Sequence, residues 1–225
     1  MNKNIKIISA QEGNDYHNRN LNLYKNAETL NDERITSLIK TANLKSKSVL
    51  EIGCATGIKL EQYQRILNSK INYGVDLSSK AIAYGKKKYK NLKLLRLSSL
   101  QIDRIKINFD LIICGSFLCL LDREEIFNQF NLIYKKIKIN GHLIISDFDP
   151  LFKHTNYSLH NKKIKIFKAG YDNFLEESGL FKVIYKSRTN YYPKTSFKKS
   201  IYKSYDNSTT LYQKINFENT FPMNI

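Results

Sequence analysis

At 225 residues with 42% hydrophobic content, the chain suits one α/β domain with small additions, not two full domains. Its formal charge of +17 is nearly all Lys excess, in clusters scattered as Lys86–Lys88, Lys135–Lys136, Lys162–Lys163 and Lys198–Lys199. Bidentate reading of phosphates and bases favours Arg, so this charge makes only a weak case for nucleic acid, and a nucleic-acid partner is not expected. The longest apolar run, Leu111–Leu121, is about half the length that spans a bilayer, and no charged-then-apolar signal opens the chain. A soluble cytoplasmic protein with no membrane partner is expected.

Residues 1–45 carry two helical patterns, Asp15–Tyr24 and Asn31–Ile39, the second with an acidic first turn. They precede a sheet-bearing unit over 46–225. Val49–Gly57, V-L-E-I-G-C-A-T-G, begins as an apolar strand of the kind buried on both faces of a parallel sheet. Its second half places small residues at Gly53, Ala55 and Gly57, and Lys59–Leu67 follows with helical spacing. Strand, glycine turn and helix together present backbone N–H groups to a polar ligand. The dinucleotide fingerprint G-x-G-x-x-G fits poorly, because Ala55 and Ile58 occupy its later glycine positions. A second strand, Ile71–Asp76, ends in a carboxylate roughly 20 residues past the first glycine, where a Rossmann-type site places an acid for ribose hydroxyls. Asp76 could instead cap the helix that follows.

That helix holds Ala81–Gly85 and ends in lysines. A third strand covers Leu92–Leu97 and ends at Ser98-Ser99-Leu100; a fourth covers Phe109–Gly115. Between Leu121 and Ile137 a helix is predicted, with Asp122 as N-cap and Phe127, Phe130, Ile133 and Ile137 as its core stripe. Asn140-Gly141 stops it, and His142–Asp147 is a fifth strand. Residues 150–167 read as a loop rich in His, Asn, Tyr and Lys, where substrate groups tend to sit. Gly170–Gly179 reads as a last helix, Phe181–Lys186 as a strand, and Tyr191–Tyr212 as a further strand or pair. Cys54, Cys114 and Cys119 show no C-x-x-C pairing and no histidine at zinc-like spacing, so free buried thiols are expected and no metal site.

The E-x-G-x-A-x-G pattern of Glu51, Gly53, Ala55 and Gly57 resembles the E/D-x-G-x-G-x-G motif of class I S-adenosylmethionine-dependent methyltransferases. F-D-L-I-I at Phe109–Ile113 is a form their fourth strand commonly takes. G-S-F-L-C-L-L-D-R-E-E from Gly115, I-S-D-F-D-P from Ile145 and N-Y-S-x-H from Asn156 are similar to little-characterised bacterial members of small-molecule or saccharide pathways. The resemblance runs from about Ser48 to Tyr192.

It implies a Rossmann-like methyltransferase fold, with a seven-stranded, mostly parallel sheet closed by an antiparallel C-terminal hairpin and N-terminal helices as a lid. It implies S-adenosyl-L-methionine as cofactor and S-adenosyl-L-homocysteine as product. Glu51, Gly53, Cys54, Ala55 and Gly57 would then support the methionine part, Asp76 and Leu77 the ribose, and Ser98, Ser99 or Leu100 the adenine. Cys114, Gly115 and Ser116, with Phe117 after them, would flank the methyl group, and Tyr16 and Arg19 would reach the carboxylate. Two departures stand out: Ala55 replaces a motif glycine, and Ser98-Ser99 stands where an acid is usual.

The implied activity is methyl transfer to a small molecule, such as a sugar or sugar-nucleotide hydroxyl or amine. Asp147, His160 and Tyr157 are the candidates for orienting or deprotonating the acceptor. An RNA or protein methyltransferase, or a non-catalytic member serving as an interaction module, are the alternatives. No N-P-P-Y-type tetrapeptide follows the fourth strand. Oligomeric state is not readable.

Overall fold

A computed structural model describes residues 3–25, 33–190 and 206–216. Five apolar runs form parallel strands β1 (Ser48–Ile52), β2 (Ile71–Asp76), β3 (Lys93–Arg96), β4 (Phe109–Gly115) and β5 (Ile137–Phe148). Antiparallel strands β8 (Phe181–Asn190) and β9 (Asp206–Lys214) complete a seven-stranded sheet of order β3-β2-β1-β4-β5-β9-β8. Part of the predicted stretch Tyr191–Tyr212, and all of Phe217–Ile225, lies outside the described residues.

The strands alternate between two cores. Val49, Leu111, Ile113 and Ile144 face one side, against α4 (Glu33–Thr41), α5 (Ile58–Leu67) and α6 (Ser79–Lys88). Leu50, Ile52, Ile112, Leu143 and Ile145 face the other, against α7 (Ile126–Lys136) and α8 (Asp172–Glu177). Burying each such side chain contributes roughly 1.5–3 kcal/mol, so these two layers dominate the energetics. They also explain why β1 and β4 read as unbroken apolar runs.

The chain leaves β1 toward β2 and β3, then returns to β4 and β5 on the other side. The order therefore reverses between β1 and β4, and a crevice opens at their carboxyl ends, the position at which open α/β sheets bind ligands. Two glycines let the surrounding elements close on the turn after β1. A Cβ on Gly85 of α6 would lie 2.2 Å from the Thr56 carbonyl oxygen, and one on Gly74 of β2 would lie 2.7 Å from Cys54 Sγ. Below the sheet, at the amino ends of the strands, the Asp110 carboxylate accepts from Lys47 N–H at 2.9 Å and Ser48 N–H at 2.8 Å. Its other oxygen pairs with Lys138 Nζ at 2.8 Å, tying β1, β4 and β5 together.

Several elements depart from the sequence expectation. The N-terminal segment folds as α1 (Lys3–Ile7), a π-helical turn (Ile8–Glu12), α2 (Gly13–Arg19) and α3 (Leu21–Lys25), because its buried groups are polar ones such as Asn4, Glu12 and His17. Phe127 is 66% exposed and packs edge-on against Phe174. Steps of three residues drift around a helix, so Phe127 falls at the margin of the face that Phe130 and Ile133 bury. Ile137 starts β5 instead of ending the helix. It pairs with Phe109 ahead of a bulge that contains Asn140 at φ +60°. Asp122 stands at the N-cap of a short 3-10 turn, but its carboxylate accepts from Asn4 N–H instead of capping. The 150–167 stretch is no open loop: β6 (His154–Tyr157) and β7 (Lys165–Lys168) form a separate antiparallel hairpin.

Two stability outcomes follow. Gly85→Ala should destabilise the fold in urea unfolding despite a helix-propensity gain of about 1 kcal/mol, because the methyl meets a backbone oxygen; the exposed Ala83→Gly should cost only about 1 kcal/mol. Asp110→Ala should cost about 1–3 kcal/mol near neutral pH. Burial raises the Asp110 pKa, but hydrogen bonds from Lys138 and Ser48 and the Lys138 charge outweigh it, so the folded value lies below the ordinary 3.8. The contribution is therefore complete above the unfolded pKa and is lost as pH falls through the folded one. The gap between wild type and Asp110→Ala should close on that acid limb.

Candidate functional site at the strand tips

Three strand tips meet at the crevice. After β1, Gly53 (φ +76°), Ala55 (φ +48°) and Gly57 (φ +78°) all take left-handed backbone, and Gly57 is the N-cap of α5. Glycine adopts this region freely, whereas Ala55 holds it at a cost of order 1 kcal/mol. Several N–H groups of the turn are already bonded. Gly53 and Cys54 N–H both donate to Val75 O, at 2.9 and 3.1 Å, and Gly57 N–H donates to Cys54 O at 2.8 Å. What the turn offers a ligand is shape, with Gly53 exposed at its crest.

The carboxylate comes from the neighbouring tip. Asp76 Oδ2 accepts from Ala55 N–H at 2.9 Å, and Oδ1 accepts from Ser78 N–H at 2.8 Å. Burial pushes this carboxyl above its ordinary range, while the N–H groups of Ser78, Ala55 and Leu77 pull it back. Each oxygen keeps lone-pair capacity for one hydroxyl, so the pair of acceptors suits a vicinal diol such as ribose. The cap of α6 is Ser78, whose Oγ accepts from Ala81 N–H at 3.1 Å. Asp76 thus sits at the helix start without being its cap.

The third tip turns at Ser116, exposed and at φ +53°, with its N–H bonded to Ser146 O at 2.7 Å. Gly115 beside it is open, with only Ile35 Cδ1 within 4 Å of a Cβ built there. Phe117 follows, and its side chain lies against Gly53: a Cβ there would be 3.3 Å from Phe117 Cβ. Glu51, Cys54 and Cys114 are buried, and burial pushes both thiols up. Leu77 is half-buried, and its carbonyl accepts from Arg96. Ser98 Oγ accepts from Leu100 N–H at 3.3 Å as cap of the 3-10 turn Ser99–Arg104, and the buried Ser99 accepts from Gln129 through its carbonyl.

The N-terminal helices cross this edge. Asn14 Oδ1 accepts from Ser78 Oγ at 2.9 Å and Lys80 N–H at 3.1 Å, pinning α2 to the start of α6. His17 is buried, stacked on Tyr24 at 5.4 Å, and burial holds its ring below the usual imidazole pKa. Burial, then the charges of Tyr16 and Asp76, pushes the Tyr24 hydroxyl well up. Arg19 is engaged within the lid, paired with Glu12. Glu12 in turn accepts from Asn161 Nδ2 of the β6–β7 turn at 3.0 Å, so lid and hairpin meet. At the other end Asn4 bonds Leu120 O and Lys165 O at 2.9 and 2.8 Å.

The three proton-handling candidates occupy different settings. Asp147 is buried, accepting from Cys119 N–H at 3.1 Å and Phe148 N–H at 2.8 Å, and burial raises its pKa against those bonds. Tyr157 and His160 are exposed on the hairpin. Sequence reasoning missed Glu12, Asn14, Tyr24, Gly74 and Gly85, which carry no motif signal; the G-S-F run did point to Phe117.

Solved structures at 12–16% identity share this fold. The 1,6-didemethyltoxoflavin-N1-methyltransferase of Burkholderia thailandensis, bound to 1,6-didemethyltoxoflavin and S-adenosylhomocysteine, matches at TM-score 0.67 over 94% of this chain and 89% of its own. The N-methyltransferase NodS of Bradyrhizobium japonicum WM9, in complex with S-adenosyl-L-homocysteine, matches at 0.60 over 86% and 98%. An uncharacterised protein of Rickettsia prowazekii (strain Madrid E) is 32% identical over 108 residues, 46% of this chain and 43% of that protein, so the matched stretch spans less than half of the curated relative. The family model described as methyltransferase domain matches residues 43–204, which include β1, its glycine turn, Asp76 and the β4 tip. The chain belongs to the methyltransferase domain family.

Proposed function

We propose that this chain transfers the methyl group of S-adenosyl-L-methionine to a small-molecule acceptor, a sugar or sugar-nucleotide hydroxyl or amine among the candidates. The observation that carries the reading is the left-handed Gly53–Gly57 turn bonded directly to the Asp76 carboxylate, at the point where the strand order reverses. The toxoflavin-precursor and NodS enzymes, whose bound states contain the demethylated cofactor, support it. So does the magnesium protoporphyrin IX methyltransferase of Synechocystis PCC 6803, solved with the cofactor bound.

A sulfonium supplies a methyl carbon already attached to a good leaving group, which leaves the protein to orient and to handle a proton. On this reading Asp76 holds the ribose hydroxyls and Gly53 lets the methionine chain lie on the turn. Leu77 and Ser98-Ser99-Leu100 border the base, with Ser99 and Leu100 presenting backbone because the Ser98 hydroxyl is already a cap. Gly115 and Ser116, with Phe117 as wall, border the reacting end, and Tyr16 closes it from the lid. Asp147 acts as a positioning residue, fixing Cys119 and Phe148 behind that end. Burial raises its pKa, against the hydrogen bonds it accepts from Phe148 and Cys119. His160 and Tyr157, carried on the hairpin, are the groups that would meet a hydroxyl acceptor, with His160 as base.

Calorimetric titration should show S-adenosyl-L-homocysteine binding, weakened by Asp76→Ala by about 2 kcal/mol or more, roughly thirtyfold. Asp76→Asn should lose nearly as much while keeping one acceptor for Ala55 N–H. Undiminished affinity in both variants would overturn the assignment. With a hydroxyl acceptor, His160→Ala should lower kcat by about 100-fold or more and leave homocysteine-product affinity unchanged; an amine acceptor deprotonated in solution should show no such loss.

A further inference from the structure

We propose that the β6–β7 hairpin docks this protein peripherally onto anionic lipid bilayers. Its two strands differ in what they face. β7 is the inner strand: Ile164 just before it is 2% exposed, Lys168 is 3% exposed, and Phe167 lies under the Arg123 guanidinium at 4.8 Å. β6 and its flanks face outward and carry large apolar side chains into solvent. Leu151 is 60% exposed, Phe152 73%, Tyr157 55% and Leu159 82%, four within the nine residues 151–159. Exposed apolar residues scattered singly need no explanation, but a run on one projecting element marks an interaction surface.

The charge around that run selects the partner. No Asp or Glu occurs between Asp149 and Asp172, while Lys153, Lys162, Lys163 and Lys165 are exposed there. Lys3 and Lys6 of α1 are also exposed, and α1 is fixed to β7 through Asn4 and the Lys165 backbone. Two acids touch these elements: Asp122 accepts from Asn4 N–H, and the buried Glu12 accepts from Asn161 Nδ2 and pairs with Arg19. Protruding Leu and Phe side chains beside lysines form the two-part signal of interfacial binding, in which apolar insertion and attraction to anionic headgroups each supply part of the affinity. Lysine suits this task, since a headgroup layer is met as a field of charge without bidentate geometry. The absence, among the described residues, of any helix able to cross a membrane bears on spanning and not on surface docking. The expectation of no membrane partner is revised on this ground.

The test is flotation of the full chain with phosphatidylglycerol-containing vesicles and, separately, pure phosphatidylcholine vesicles. Binding to the anionic vesicles, little to the neutral ones, and release by added salt are expected. Leu151→Ser/Phe152→Ser/Leu159→Ser should weaken binding roughly tenfold or more with unchanged circular dichroism and thermal midpoint. Lys162→Ala/Lys163→Ala should weaken it and flatten the salt dependence. Absence of anionic-vesicle binding overturns the proposal, as does triple-variant binding equal to wild type, which would assign attachment to the general positive charge. A wild-type dimer in vesicle-free solution that the triple variant dissociates would assign the face to a second copy. These readouts do not use the cofactor, so their failure leaves the methyltransferase reading to its own titration.

Discussion

One carboxylate joins the two strand tips on which the site depends. Asp76 receives the Ala55 N–H from the turn after β1 and the Ser78 N–H from the start of α6, so a single side chain sets the spacing of turn, strand and helix. Burying an ionisable group there is costly, and the raised pKa of Asp76 records that cost. Backbone donors offset part of it, and hydroxyls of a bound ribose would offset more. Binding energy and local order are thereby coupled at the same two oxygens.

Close packing behind the turn makes that geometry stiff. Gly85 and Gly74 allow α6 and β2 to approach Thr56 and Cys54 within distances no Cβ tolerates. The N-terminal helices are fastened at three points: Asn14 on the α6 start, Glu12 on the hairpin turn, and Asn4 on β7 and Leu120. Each is a small number of polar bonds with a net worth of about 1 kcal/mol apiece, so this segment is held less firmly than the packed sheet.

The five parallel strands and the antiparallel end of the sheet were legible because strands buried on both faces read as apolar runs with few interpretations. Asp76 was legible as a carboxylate ending the second strand; of its two readings, helix cap is overturned, since Ser78 caps α6. What escaped is non-local or polar. Nothing in the sequence says that Gly85 will press on Thr56 or that Phe117 will cover Gly53. The π-helical turn at Ile8–Glu12 and the hairpin over 154–168 carry little apolar periodicity, because polar contacts hold the first and solvent bathes most of the second. Phe127 misled because three-residue spacing was taken as a straight stripe. Three N–H groups of the turn, from Gly53, Cys54 and Ala55, are taken by Val75 and Asp76, a pairing visible only once β1 and β2 lie side by side.

A crystal structure of the chain soaked with S-adenosyl-L-homocysteine examines the central claim most directly. The nucleoside should span the β1 and β2 tips, with both ribose hydroxyls within hydrogen-bond distance of the Asp76 carboxylate and the methionine portion over Gly53. A ribose bound away from Asp76, or a ligand excluded from the crevice by Phe117 and the lid, would contradict it.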